Sequence, residues 1–440
     1  MEPLTVGIFS IAVLMILITF GVHVGAALGL AGMLGMFFIV GPNASVYTAS
    51  TLSFDSVSNY SLIIVPIYVA MGILASDSGL SADAYECLRI WLGRVRGSLG
   101  IATLGACTLF GTMCGSSIVT AAVFAKISAP EMRKMGYSKK AAYGICTAGG
   151  IIGMLIPPSV LIVVYGILSR DSIGRLLIGG IVPGLMLTLF FSLGVIILSY
   201  MKSGGIPSTI TAPKTTWREK FISLKMIWGV LATFAIVVGG LMSGAYSPSE
   251  AGSVATLLLL IIFIFKKRKF GPAEKLKKAL LDTVAISAMI FLILIGAGLF
   301  SRLMVLSTVA PTVLNLVTDW GLSPIMFLFI VCIGYTVMGC FFDSISMLSI
   351  TLPILQPAAL ALGISPLHFA MVVILIINIG VITPPVGLNV YGVKGVAEPD
   401  VTLEDLFASV IPFFLLSLLA LFLLIFFPVL SEFLPALIMD

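Results

Sequence analysis

Long apolar runs separated by short polar loops set the pattern of this chain. Ten of them read as membrane-spanning helices: Leu4–Phe20, Val24–Val40, Ser61–Ala75, Ala141–Leu168, Leu176–Leu198, Met226–Met242, Gly252–Phe265, Leu280–Phe300, Phe369–Gly392 and Leu406–Phe427. Two further runs, Ser98–Ala129 and Ser323–Gln356, are interrupted near their middles by GTMCGSS (Gly111–Ser117) and GCFFDS (Gly339–Ser344). Their arms of about 12 residues reach about 18 Å at 1.5 Å per residue, part of a bilayer, so they are predicted to be re-entrant hairpins with polar tips at membrane depth. Each hairpin follows a mixed apolar and polar segment ending near a tryptophan, Ser81–Gly97 and Met304–Gly321, which predicts a helix lying along the interface.

Two of the spans carry a break. GGIIGMLIPPS (Gly149–Ser159) and INIGVITPP (Ile377–Pro385) each place two prolines within an apolar helix. Proline supplies no N–H and clashes with the preceding turn, so the helix must open, and carbonyls freed in hydrocarbon need another partner. A shift of 227 positions lays Pro157–Pro158 on Pro384–Pro385 and Ser117 on Ser344, with ten identities over the 43 positions from Ser116 to Pro158. Chance would give roughly three or four, which points to an internal duplication. The two copies enter the membrane from opposite sides, the inverted-repeat plan of secondary transporters. The predicted fold is therefore an all-α polytopic membrane protein, an inverted-repeat transporter with two re-entrant hairpins and two Pro-Pro-broken helices; its elevator type is implied only by the family resemblance given below. Its organisation is N-terminal scaffold spans (1–80), an interfacial helix (81–97), a first transport repeat (98–175), further scaffold spans (176–300), a second interfacial helix (301–322), a second transport repeat (323–400) and a C-terminal span (401–440).

Composition agrees: 59% of 440 residues are hydrophobic, 10% are charged, and mean hydropathy is +1.19. The net charge of +5 follows from orientation. With both termini outside and each hairpin returning to the face it entered, 21 of the 24 basic residues fall on one side, leaving Arg170, Arg175 and Arg302 on the other. The positive-inside rule makes the basic side cytoplasmic. The start of the chain has no basic n-region or cleavage motif and reads as a retained first span. Six cysteines without a CxxC pair read as buried hydrophobes. His23 and His368 read as interfacial, and the run Lys266–Lys278 as an orientation signal and lipid contact with no nucleic-acid role.

The breaks and tips carry the chemistry. Carbonyls released before the double prolines can ligate a cation, while the half-helices that follow point positive N-terminal ends at an anion. Hydroxyl, carbonyl and carboxylate oxygens are hard ligands suited to Na⁺. The predicted sodium ligands are Ser116, Ser117, Gly153 and Pro157 in the first repeat, with Asp343, Ser344, Gly380 and Thr383, beside Asn378, in the second. Substrate is expected at Gly115, Ser116, Ser159, Asp343 and Asn389. Plainer alternatives remain at each: a structural kink at the prolines, serines bonded to their own helix, and Asp343 as a helix cap.

At these residues the chain resembles the large membrane subunit (DctM family) of TRAP (tripartite ATP-independent periplasmic) transporters, through Gly153–Ser159 (GMLIPPS), Gly380–Pro385 (GVITPP) and Lys134–Gly144 (KMGYSKKAAYG), over essentially its whole length. The resemblance implies sodium-driven import of an organic carboxylate, of the sialic acid or C4-dicarboxylate class, by an elevator movement. It implies two partners besides membrane lipids, a small four-helix membrane subunit and a periplasmic substrate-binding protein, in a bacterial inner membrane, with Na⁺ as coupling ion and no other cofactor. Rival classes are a carboxylate symporter working without a binding protein and a channel. An intramembrane enzyme would need paired aspartates, a Ser–His pair or an HExxH helix in the spans, and none is present.

Overall fold

The computed structural model describes residues 2–58, 60–93, 95–201, 205–207, 215–267, 272–339, 341–385 and 387–439. Arg94, Lys202, Lys214, Arg268 and Lys269 from the charge map, and Cys340 of the second tip, lie outside these. All regular structure among the described residues is helical. The first half comprises α1 (Pro3–Thr19), α2 (Val24–Val40), α3 (Pro42–Ser58), α4 (Ile64–Ser78), α5 (Leu80–Leu92), α6 (Ser98–Cys114), α7 (Ser117–Ile127), α8 (Ala129–Lys134), α9 (Lys139–Ile152), α10 (Val160–Ser169), α11 (Ile173–Gly179), α12 (Ile181–Tyr200) and α13 (Trp217–Ser223). The second comprises α14 (Trp228–Phe234), α15 (Gly240–Met242), α16 (Pro248–Lys267), α17 (Pro272–Leu306), α18 (Val309–Asp319), α19 (Pro324–Gly339), α20 (Ser344–Ala361), α21 (Pro366–Gly380), α22 (Leu388–Lys394), α23 (Leu403–Phe426) and α24 (Val429–Met439).

The shift of 227 read from the prolines extends to the whole architecture. It lays α2 on α16, α5 on α18, α6 and α7 on α19 and α20, α9 and α10 on α21 and α22, and α12 on α23. The copies interlock. In the scaffold α2 packs on α17 and α16 packs on α4, so each repeat's early helix lies against the other repeat's. Small residues set this crossing. A Cβ on Gly25 would lie 2.7 Å from the Ile293 nitrogen, and one on Gly296 would lie 2.2 Å from the Gly25 oxygen. Backbones meet directly there, the means by which helices associate in lipid, where the hydrophobic effect offers no drive.

Both interrupted runs form hairpins, α6 with α7 and α19 with α20, whose arms pack on each other. Three of the four arms exceed the predicted twelve, α6 with 17 residues, α19 with 16 and α20 with 18, the last because it continues through Pro353 and Pro357 to Ala361, whereas α7 has 11. The segments before the hairpins are helical, as α5 and α18.

The structure adds three features to the sequence reading. A helix, α3, occupies the polar stretch after the second span, which hydropathy passes over. Its hydroxyls bond their own backbone, Ser45 Oγ to the Gly41 carbonyl at 2.7 Å and Thr51 Oγ1 to the Tyr47 carbonyl at 3.0 Å, so the helix tolerates its low apolar content. The span placed at Leu280–Phe300 is part of one 35-residue helix, α17, because the Lys-rich start that closes an apolar run is itself helix-favouring. The span at Met226–Met242 contains a π-helical turn at Ala235–Gly239. Among the described residues, five helices are long and apolar enough to cross a membrane unaided, and up to seven if each bent pair counts as one span. α1 and α2, at 17 residues, and the broken helices are shorter.

Ion pairs tie the basic loops to neighbouring segments. Arg133 bonds Asp400 through both guanidinium nitrogens at 3.0 Å and also pairs with Glu398, while Lys139 meets Asp405 at 2.6 Å. The Lys139 ammonium holds the Asp405 carboxyl down to about 2, and Arg133 lowers that of Asp400. Lys266 pairs with Asp83 of α5. The five described cysteines are all buried thiols.

Candidate functional site

Each tip is a short turn that ends one arm and caps the next. At the first, Gly115 takes the left-handed conformation (φ +60°), which favours glycine, and Ser116 is the extended N-cap of α7, accepting from the Val119 N–H at 3.5 Å. At the second, Asp343 caps α20, its carboxylate accepting from the N–H groups of Ile345 and Ser346 at 3.1 and 3.2 Å and from the Ser346 hydroxyl. The cap reading of Asp343 therefore holds. The carboxylate, half-buried, carries further lone pairs beyond these bonds.

Glycines bring each hairpin against its own broken helix. A Cβ on Gly111 would sit 2.2 Å from the Gly153 Cα, and one on Gly339 would sit 2.5 Å from the Gly380 Cα. Gly115 lies against the second half-helix, where a Cβ would be 3.2 Å from the Pro158 oxygen. The first tip is thus brought onto the first break, and the end of α19, the first arm of the second hairpin, onto Gly380.

The first break is buried from Gly153 to Ser159 apart from the partly exposed Met154. Ser159 caps α10 and closes the turn, its hydroxyl donating to the Met154 carbonyl at 2.6 Å. Among the described residues no hydrogen bond is given to the carbonyls of Gly153, Leu155, Ile156 or Pro157. Buried carbonyls without donors are uncommon and suit a cation. The second break differs. Thr383 Oγ1 bonds the Ile379 carbonyl at 2.8 Å, the Asn389 N–H spans the opening to the Val381 carbonyl at 3.1 Å, and Pro384 and Pro385 are exposed. Asn378 donates to the Ile374 carbonyl at 2.8 Å, and its Oδ1, fully enclosed, has no hydrogen-bond partner among the described residues.

The two repeats then exchange partners. The returning arm α7 packs on α22, and α20 packs on α10. Ser117 Oγ donates to Asn389 Oδ1 at 2.8 Å, a bond from hairpin one to broken helix two. A cavity of about 290 Å³ lies where these elements face the scaffold. Gly115 and Ser116 of the first tip, Met154 of the first break and Ile345 beside the second tip line it, opposite Asp77 of α4 and Lys278 and Asp282 of α17. Ser159, Asp343 and Asn389, predicted to touch substrate, are not in its wall.

Lys278 and Asp282 were missed as site residues, and Lys278 was read only as an orientation charge. A signal existed: Asp282 is an acid inside a predicted span, and an ionisable residue there is functional by default. Its spacing of four from Lys278 puts both on one helix face.

Inverted hairpins and broken helices around one charged cavity define a membrane permease. Residues 11–430 match the tripartite ATP-independent periplasmic transporter family, DctM component, and the chain belongs to that family. It is 32% identical over 410 residues to the C4-dicarboxylate TRAP transporter large permease protein DctM of Pseudomonas aeruginosa, covering 93% of each. It is 31% identical over 396 residues to the sialic acid TRAP transporter large permease protein SiaM of Vibrio cholerae, covering 88% of this chain and 90% of that one. The crystal structure of the Alcanivorax borkumensis YdaH transporter shares the fold at a TM-score of 0.65 and 16% identity, over 97% of this chain and 98% of that one. The protein is a multi-pass transporter permease.

Proposed function

We propose that this permease imports an organic carboxylate coupled to sodium, by an elevator movement of hairpins and broken helices against the α2, α4, α16 and α17 scaffold. The observation that carries the reading is the buried first break, with four carbonyls lacking donors, beside a tip that also lines the cavity. A cation held there would stabilise the tip in the shape that forms the cavity wall, linking ion to substrate. Sodium ligands are the Gly153–Pro157 carbonyls with Ser116 and Ser117, and in the second repeat Asp343, Ser344, Gly380 and Thr383. Each is an oxygen donor of the hardness Na⁺ takes.

The substrate occupies the 290 Å³ cavity, at the small end of the range for ligand sites. Lys278 offers its carboxylate a cation, and Gly115 and Ser116 lie at the N-terminus of α7, the end that favours an anion. Relatives named for C4-dicarboxylates and for sialic acid support the class, and the small volume favours the four-carbon acids. The charged rim lies near the end that carries the basic loops, which the positive-inside rule makes cytoplasmic in a bacterial inner membrane with both termini periplasmic; the cavity is then on the release side. As a component of a tripartite family, the chain works with a periplasmic binding protein and a small membrane subunit.

The test is uptake into proteoliposomes holding the assembled transporter, with a sodium gradient and candidate carboxylates presented by the binding protein. Accumulation that needs sodium and shows counterflow supports the proposal, and uptake indifferent to sodium refutes the coupling. Lys278→Ala should raise the half-saturating substrate concentration about tenfold, as loss of one charge-assisted hydrogen bond does.

A further inference from the structure

We propose that Asn389, a residue of the second repeat, is a positioning residue for the cation site of the first. The inference rests on the sodium reading above and adds a role for a side chain outside the cavity wall. Asn389 is fully enclosed, as is all but 2% of Ser117, and the Ser117 hydroxyl gives its proton to Asn389 Oδ1 at 2.8 Å. A hydroxyl that ligates a cation does so through its lone pairs, so its proton must be placed elsewhere. Asn389 supplies that place. Among the described residues the Ser117 oxygen accepts no hydrogen bond, so both lone pairs stay available.

Asn389 is itself fixed by the second break, its backbone N–H closing the opening onto the Val381 carbonyl at 3.1 Å. Ser117 sits between both broken helices: a Cβ on Gly150 of α9 would lie 2.5 Å from its carbonyl oxygen, and Gly392 of α22 lies against its neighbour Ile118. Opening or closing of the second break therefore moves the acceptor that orients a ligand of the first site. The arrangement is one-sided, because the shift of 227 lays Asn389 on Ile162, which has no acceptor to offer Ser344. The Asn389 Nδ2 is enclosed and has no hydrogen-bond partner among the described residues, so the acceptor toward Ser117 is the amide's one paired side-chain atom there.

The test is a double-mutant cycle read as the half-saturating sodium concentration, by thermal shift of the purified transporter and by uptake in proteoliposomes. Ser117→Ala and Asn389→Leu should each raise it about tenfold. The double variant should be no worse than Ser117→Ala alone, because Asn389 acts through that hydroxyl. Asn389→Asp, which keeps an acceptor in place, should restore a near wild-type value and guards against variants that merely fold poorly. An unchanged sodium response in Ser117→Ala would remove the cation reading itself. A shifted Ser117→Ala with multiplicative effects in the double variant, or with Asn389→Leu unchanged, would leave the cation reading standing and overturn the positioning role.

Discussion

Asp343 does two jobs on the proposed reading, and two substitutions separate them. As N-cap of α20 it satisfies two backbone N–H groups and the Ser346 hydroxyl, and losing such a cap to alanine costs about 1 kcal/mol. Asparagine caps nearly as well as aspartate, so Asp343→Asn keeps the helix start and removes only the charge. A charged ligand to a cation contributes roughly 1.5–3 kcal/mol, which converts to about a 10- to 150-fold rise in half-saturating sodium. Both variants should therefore show that rise. Only Asp343→Ala should also lose stability in sodium-free buffer, by about 1–2 °C in thermal midpoint given the size of the chain. The assay is a sodium titration of thermal midpoint and of uptake on the same preparations, with potassium as control. If Asp343→Asn titrates with sodium as the wild type does, the carboxylate is a cap alone and the second cation site falls.

Other expectations follow from the packing. Gly111→Ala and Gly339→Ala force a methyl to within 2.2 and 2.5 Å of a facing Cα and should cost about 3 kcal/mol or more, seen as lower thermal midpoints and lost uptake. Gly334→Ala, in the same helix as Gly339 with nothing within 4 Å, should be neutral or slightly stabilising. Cysteines placed at Arg218 and Ser247 in a cysteine-free background should label from opposite faces, and labelling from one face would refute the topology. Because the Asp405 carboxyl is held down to about 2 by Lys139, its link adds stability above its ordinary 3.8 and loses it as pH falls toward 2. The difference in midpoint between wild type and Lys139→Gln should accordingly be constant above about pH 5 and shrink below about 4.

Spans, tips and breaks were legible because each rests on a local rule: apolar length, or a proline pair that no helix continues through. That each hairpin lies on its own broken helix was legible because the duplication puts Gly153 and Gly380 in register. What could not be read were features set by tertiary neighbours. Polar α3 persists because its hydroxyls bond inward and it lies on α2 and α17. The cavity wall draws Asp77, Lys278 and Asp282 from helices distant in sequence, and only the scaffold crossing brings them opposite Gly115. The bond from Ser117 to Asn389 crosses between repeats, whereas the alignment of the copies pairs each tip with its own break.

The interlocked scaffold also has a consequence for synthesis. The Gly25, Gly29 and Gly32 face of α2 packs on α17, whose contact residue Ile293 emerges 268 residues after Gly25. At 5–20 residues per second the wait is about 13–54 s. For that interval lipid chains, or another helix of the insertion machinery, must lie along Gly25, Gly29 and Gly32, and be displaced when α17 arrives. The N-terminal half alone, up to the end of α12, is on this account a fragment that inserts but does not settle.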